Sequence, residues 1–221
     1  TEIYTLSLHD ALPIWEPDLW FDGLWFHSWA DQKMALARID LAEQTITLRD
    51  PQSHSFGFKA GQGFYAFNAI SEIDRPGEWA VDRAARRLYL WPLADPAAAP
   101  VTLAAGTSLV VGDSSDHTTF EGLVFAACRE RALVFRNSTA VTVAACTMRQ
   151  IGSTAVDIDG GTRGTVIGCD MYDLGEGGAR ANGGDYKTLT PGGHRIENNH
   201  IHHFGRIRSE ERRVGKECRS R

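Results

Sequence analysis

The chain has 221 residues, 43% hydrophobic and 23% charged, with 22 glycines and a formal net charge of −5. That length carries one sizeable domain, or a domain with an appendage, and the composition is that of a folded globular protein. No apolar run approaches the roughly 20 residues of a membrane helix, and the acidic balance offers nothing to nucleic acid, so neither membrane nor nucleic acid is an expected partner and a monomer is expected.

The head, "TEIYTLSLHDALPI" (1–14), has neither a signal-peptide pattern nor a strand-and-turn pattern. The tail, "RSEERRVGKECRSR" (208–221), is dense in arginine and has no apolar period. Both resemble translated short-read sequencing adapter: the tail back-translates as AGA TCG GAA GAG CGT CGT, and the head matches the reverse complement in another frame. Both ends are therefore expected to be foreign to a native chain cut on either side, so a missing signal peptide is uninformative about location. Setting the tail aside removes Cys218 and leaves Cys128, Cys146 and Cys169, an odd count that is neither a disulfide framework nor a zinc pattern.

Between the ends, "KMALARIDLAEQTITLRD" (33–50) predicts strands over 36–41 and 45–48 around a Glu-Gln turn. The stretch 64–92 predicts a strand, a Pro-Gly turn, a second strand, a five-residue turn and a third strand ending at Pro92. "LADPAAAP" (93–100) is a linker, and strands resume at Val101. Residues 15–100 thus form a β-rich, irregular antiparallel region, expected to cap the open end of a solenoid built from the residues after 100. Trp20, Trp25, Trp29, Trp79 and Trp91 fall in it; aromatic packing within the cap is the simpler account of them, and sugar stacking the alternative.

From residue 101 the chain repeats. "FEGLVF" (120–125), "VAACTM" (143–148), "VIGCDM" (166–171) and "IENNHI" (196–201) align at intervals of 23, 23 and 30 residues. Phe120, Val143, Val166 and Ile196 form one column, Leu123, Cys146, Cys169 and Asn199 a second, and Phe125, Met148, Met171 and Ile201 a third. Further columns join Cys128, Ile151, Leu174 and Phe204; Leu133, Val156 and Ala179; and Phe135, Ile158 and Ala181. Short alternating strands with Gly and Asn turns at a fixed period of this length, with no helical periodicity, are the mark of a parallel β-helix over 101–207. Cys146 and Cys169 then share an inward column as small buried thiols, and Asn199 continues it with hydrogen bonds along the stack.

The segments "IDRPGEWAVDRAARRLYLWP" (73–92) and "GGDYKTLTPGGHRIENNHIHHFGR" (183–206) resemble right-handed parallel β-helix proteins of bacterial carbohydrate metabolism, including glycoside hydrolases similar to family 141. The resemblance covers 15–207. It implies the right-handed, pectin lyase-like coil, a polysaccharide or oligosaccharide partner, no cofactor, and a secreted location, extracellular or periplasmic.

The register assigns the outward side chains. Val124, Thr147, Asp170 and His200 form one outward column; Ala126, Arg149, Tyr172 and His202 a second; Ala127, Gln150, Asp173 and His203 a third. Along each the residues change from small or apolar to charged and aromatic. Arg149, Asp170, Tyr172, Asp173, His200 and His202 therefore make a shelf with the acid, base and ring types a sugar site uses. The 30-residue interval places a seven-residue insertion between Gly183 and Ile196, with Asp185, Tyr186 and Lys187 expected over the shelf. Asp170 and Asp185 are the candidate catalytic carboxylates; Arg149, Tyr172, Asp173, Lys187, His200 and His202 the candidate binding residues. Asp157 with Arg180 and Asp159 with Arg136 are expected to face each other across rungs as solvated ion pairs. Asp170, His200 and His202 are the nearest approach to a metal set, but no further clustered Cys or His completes a typical site, so no metal is assigned. Calcium through Asp157, Asp159 or Asp173 lacks a supporting spacing.

The leading expectation is a glycoside hydrolase acting on plant or algal polysaccharide. A polysaccharide lyase or epimerase, and a non-catalytic carbohydrate-binding or surface β-helix, use the same scaffold and remain open.

Overall fold

The structure is a computed structural model describing residues 16, 18–27, 30–40, 42–43, 45–49 and 56–205. The two expected adapter segments and Trp29 lie outside the described residues. Among the described residues there is no α-helix, only strands and one three-residue 3-10 turn at Ile70–Glu72. The chain divides into two compact units, Thr1–Val101 and Thr102–Arg221.

In the first unit, strands β1 (Trp20–Gly23), β2 (Gln32–Asp40), β3 (Thr45–Leu48) and β4 (Phe64–Phe67) form one antiparallel sheet in the order β3-β2-β1-β4. The second strand starts earlier than its local pattern indicates, because Gln32 and Lys33 pair with Gly23 and Asp22 of β1. Leu19, Phe21 and Leu36 form the buried centre, with Trp25 stacked on Phe64 at 5.4 Å. Asp22 is buried there, accepting a hydrogen bond from the Tyr65 hydroxyl at 3.0 Å and facing Lys33 Nζ at 3.5 Å. Strands β5 (Trp79–Asp82) and β6 (Arg87–Leu90) make a separate hairpin through a four-residue turn, one residue shorter than expected. Packing accounts for Trp25, whereas Trp79 and Trp91 are 61% and 47% exposed.

The second unit is a parallel β-solenoid of three sheets, each with four strands from successive turns. The first sheet holds β7 (Val110–Asp113), β10 (Leu133–Arg136), β13 (Val156–Asp159) and β16 (Ala179–Asn182). The second holds β8 (Thr119–Glu121), β11 (Thr142–Ala144), β14 (Thr165–Ile167) and β19 (Arg195–Glu197). The third holds β9 (Val124–Cys128), β12 (Thr147–Ile151), β15 (Asp170–Leu174) and β20 (His200–His202). Two two-residue strands, β17 (Gly184–Asp185) and β18 (Thr190–Pro191), form a hairpin between the last strands of the first and second sheets. Strands do not resume at Val101. The first strand of the coil begins at Val110, and Val110 and Gly112 extend the Leu133 and Phe135 columns backwards by one turn.

The inward columns are those of the sequence register. Phe120, Val143, Val166 and Ile196 pair in order, as do Phe125, Met148, Met171 and Ile201. Val143, Val166, Met148 and Met171 are fully buried, while Leu123 and Ile196 on the outer turns are 47% and 39% exposed. The three cysteines are free and buried. The thiols of Cys146 and Cys169 donate to the Ala144 and Ile167 carbonyls at 3.2 and 3.5 Å, and burial pushes the Cys128 and Cys169 thiols above the ordinary cysteine range. Asn199 replaces a thiol in this column and imitates a strand backbone: its amide donates to the Val166 carbonyl at 3.0 Å and accepts from the Cys169 N–H at 2.9 Å.

The corners repeat as strictly as the strands. Left-handed backbone recurs at Ser114, Asn137 and Gly160; at His117, Ala140, Arg163 and Gly193; at Gly122, Ala145, Gly168 and Asn198; and at Ala127, Gln150, Asp173 and His203. Each such residue breaks the two-residue alternation, which lets Met148 and Ile151, three apart, both point inward. The ladder continues through the corners: the N–H groups of Ala140 and Ala145 donate to Thr162 and Ile167 at 2.9 and 3.0 Å. Where turns approach closest, no side chain fits. A Cβ on Gly152 would lie 1.9 Å from the Arg129 carbonyl oxygen.

Two substitutions test this arrangement. Val166→Asp buries an unpaired carboxylate in the sealed column and should cost several kcal/mol in a denaturant titration. Ala145→Gly relieves a left-handed alanine at an exposed corner and should raise stability by about 0.5–1 kcal/mol.

Candidate functional site

Side chains on the outer face of the third sheet are placed by backbone pairing alone. Asp170 of β15 lies directly opposite His200 of β20, and Tyr172 opposite His202; one turn earlier stand Thr147 and Arg149 of β12. Two residues apart on one strand means the same face, so the four side chains of β15 and β20 converge. Asp170 Oδ1 is shared: His200 Nδ1 lies 3.0 Å from it and His202 Nε2 3.2 Å. The His200 and His202 rings stack at 4.2 Å between centroids, 28° from parallel. His202 stacks in turn on Tyr172 at 5.1 Å and 15°. Its Nδ1 meets His203 Nδ1 at 2.6 Å.

With neutral rings this contact chain has one consistent set of protons. His202 Nε2–H and His200 Nδ1–H donate to Asp170, and His203 Nδ1–H donates to the free Nδ1 of His202. The cluster is open, with His200 62%, Asp170 46% and His202 27% exposed. Arg149 lies one turn away, its guanidinium donating to the Gln150 side chain at 2.9 Å. Asp173 and His203 share a left-handed corner position rather than a pleated outward column.

The inserted loop is elsewhere. The β17–β18 hairpin rises at the corner between the first and second sheets, whereas Asp170 begins the third sheet. At its base the Gly184 N–H donates to the Gly161 carbonyl at 3.4 Å; at its tip the Lys187 N–H donates to Asp185 at 2.8 Å, and Tyr186 is 82% exposed. The Lys187 N–H and the Thr188 hydroxyl hold the Asp185 carboxyl below the usual carboxylate range. A group so placed is a poor proton donor, which weighs against a general-acid role. Among the described residues, the hydrogen-bond partners of Asp170 are His200 and His202, and those of Asp185 are Lys187 and Thr188.

His194, unassigned from sequence, accounts for the flanking Gly-Gly pairs. Its Nδ1 accepts the Gly164 N–H at 3.0 Å, and its ring occupies the space where side chains on Gly183 and Gly192 would stand, 2.3 Å from Nε2 and 3.0 Å from Cδ2. The four histidines of 183–206 thus divide into His194, which plugs a corner, His200 and His202 on the third sheet, and His203 at the corner that follows it.

The Asp157 pair differs from its expectation. Asp157 does face Arg180 across the turn, but it is 2% exposed, not solvated. Arg180 grips both its oxygens at 2.8 and 2.9 Å, and Arg131, from the preceding corner, approaches at 3.2 Å. Asp157 in turn raises the Arg180 guanidinium above its ordinary value. Both oxygens are committed to guanidinium groups, which leaves Asp157 no role as a calcium ligand. Asp159 accepts from the Asn182 amide at 3.2 Å.

No family model, curated protein or solved structure matches this chain. Its architecture rests on its own register and geometry.

The arginine pair gives a test. Replacing both Arg131 and Arg180 by alanine strands a buried carboxylate, and unfolding should become easier by about 3 kcal/mol, a low-end value because the two guanidinium groups are half solvated. Either single variant should cost less, since one guanidinium remains.

Proposed function

We propose that this chain is part of a carbohydrate-active β-helix protein of the right-handed, glycoside hydrolase-like kind, and that the outer face of its third sheet meets the polysaccharide. The carrying observation is the convergence of Asp170, Tyr172, His200 and His202 on one exposed face by strand pairing, with Arg149 one turn away. Turns of a parallel sheet repeat every 4.7–4.9 Å or so, comparable with the length of one sugar ring. An oligosaccharide laid along the ladder would meet an equivalent row at each turn. The resemblance of 73–92 and 183–206 to carbohydrate-active β-helices supports the same reading, as it does an extracellular or periplasmic location.

The rings qualify how sugar is held. Tyr172 has one face against His202, so a pyranose would meet chiefly its edge and hydroxyl, and recognition would rest on hydrogen bonds rather than ring stacking. Hydrolysis would need two carboxyl groups roughly 5–9.5 Å apart. Asp170 supplies one, and Asp173, three residues along the same strand, is the nearest acidic residue in sequence.

Titration of the full chain with plant and algal oligosaccharides, followed by release of reducing ends, tests the proposal. Arg149→Ala, Tyr172→Ala and His200→Ala should each weaken binding about 5- to 30-fold, the equivalent of one or two hydrogen bonds. Asp170→Ala should abolish turnover with binding retained if its carboxylate takes part in chemistry. Binding without turnover in the wild type would favour the non-catalytic alternative. Unchanged affinity in all four variants would place the glycan elsewhere.

A further inference from the structure

We propose that Asp170, His200 and His202 form a binding site for a divalent transition metal of the zinc class, independently of whether the same face binds a glycan. One ligand atom from each of the three residues lies within 4.8 Å of the other two. Bonds of 2.0–2.2 Å in a tetrahedron place neighbouring ligand atoms roughly 3.3 Å apart. The Asp170 oxygen already stands 3.0 and 3.2 Å from the two imidazole nitrogens. Rotation of the two stacked imidazoles away from parallel would bring the three atoms around one ion.

The chemistry of the set selects the metal. Two neutral imidazoles and one carboxylate oxygen suit Zn2+, Co2+ or Ni2+, whereas Ca2+ and Mg2+ favour oxygen ligands throughout. Three protein ligands on an open face leave at least one coordination position for water or a substrate oxygen.

His203 supplies the second, independent observation. Metal-bound histidines usually donate their other ring N–H to a fixed acceptor, which sets the tautomer and orients the ring. His202 has such a partner in His203 Nδ1 at 2.6 Å. A metal at His202 Nε2 moves the His202 proton to Nδ1, from which it donates to His203 Nδ1; His203 then carries its own proton on Nε2. The hydrogen bond survives with its direction reversed. The corner that turns β20 back toward the core fixes His203 in a left-handed conformation beside the site.

The full chain, titrated with Zn2+ by calorimetry and with Co2+ by visible absorption, should bind one ion, and equal concentrations of Ca2+ or Mg2+ should not compete. His200→Ala/His202→Ala should lose that uptake, and His203→Ala should weaken it about 10- to 100-fold. Far-UV circular dichroism should show all variants folded, since the changed side chains are at the surface. In the wild type, nitrogen-15 spectra of the histidine rings should show the His202 proton moving from Nε2 to Nδ1 as zinc is added, a readout that requires no variant. Absence of one-to-one uptake, uptake surviving the double variant, or an unchanged His202 tautomer at saturating zinc would overturn the proposal.

Discussion

Every feature of the solenoid depends on the hydrogen-bonded pairing of a strand with its own equivalent one turn away. Once Val143 pairs with Val166, and Thr147 with Asp170, each side chain has as its nearest non-local neighbour the residue holding the same position in the next turn. Stability is then close to a sum of nearest-neighbour terms. Apolar columns close over themselves in the middle turns and stay partly open at the outer ones, as Leu123 and Ile196 show. The same pairing constrains the corners. A turn that returns to register after 23 residues must bend at the same places each time, so left-handed backbone recurs in columns even where the residue is alanine, glutamine or histidine. At Ala140 and Ala145 the strain is offset by the ladder hydrogen bond that the N–H makes to the neighbouring turn.

That dependence explains why the inward columns are legible in the sequence. A buried position repeating at a fixed interval accepts only a few residue types: valine stays valine from Val143 to Val166, methionine from Met148 to Met171, cysteine from Cys146 to Cys169. The strand Val110–Asp113 is hidden because Gly112 stands where later turns have Phe135 and Ile158. A glycine in that column reads as a turn, although a Cβ there would come within 2.9 Å of the Phe135 ring. The corners are hidden because alanine and glutamine carry no sign of left-handed backbone, which is ordinarily associated with glycine and asparagine. Tertiary hydrogen bonding, not local preference, sets those angles.

The site is legible in its pairs and not in its surroundings. Register alone puts Asp170 beside His200 and Tyr172 beside His202. It does not reveal that Asp170 also takes a contact from His202, because that contact runs diagonally across the ladder and depends on side-chain rotation. The burial of Asp157 is hidden for a related reason. Its second partner, Arg131, comes from a corner outside the column, and burial depends on what covers a position as well as which way it points. The position of the inserted hairpin is present in the sequence. The insertion falls after Ala181, in a first-sheet column, and before Ile196, in a second-sheet column, and those two columns bound a corner that does not contain Asp170.

The ladder also decides what the exposed face is suited to do. Tyr172, His202 and His200 stack in sequence and turn their faces toward one another, so the group presents ring edges rather than a flat apolar surface. Outward edges coordinate and hydrogen-bond; they do not provide a platform for a pyranose ring. A cation held by Asp170, His200 and His202 would engage only part of this group and leave Tyr172 and Arg149 free for sugar hydroxyls. The two uses of the face are therefore compatible as well as separable. Arg149 and Tyr172 serve the glycan alone, His200 serves both uses, and the stack of His202 on Tyr172 gives a second path by which metal and glycan binding couple.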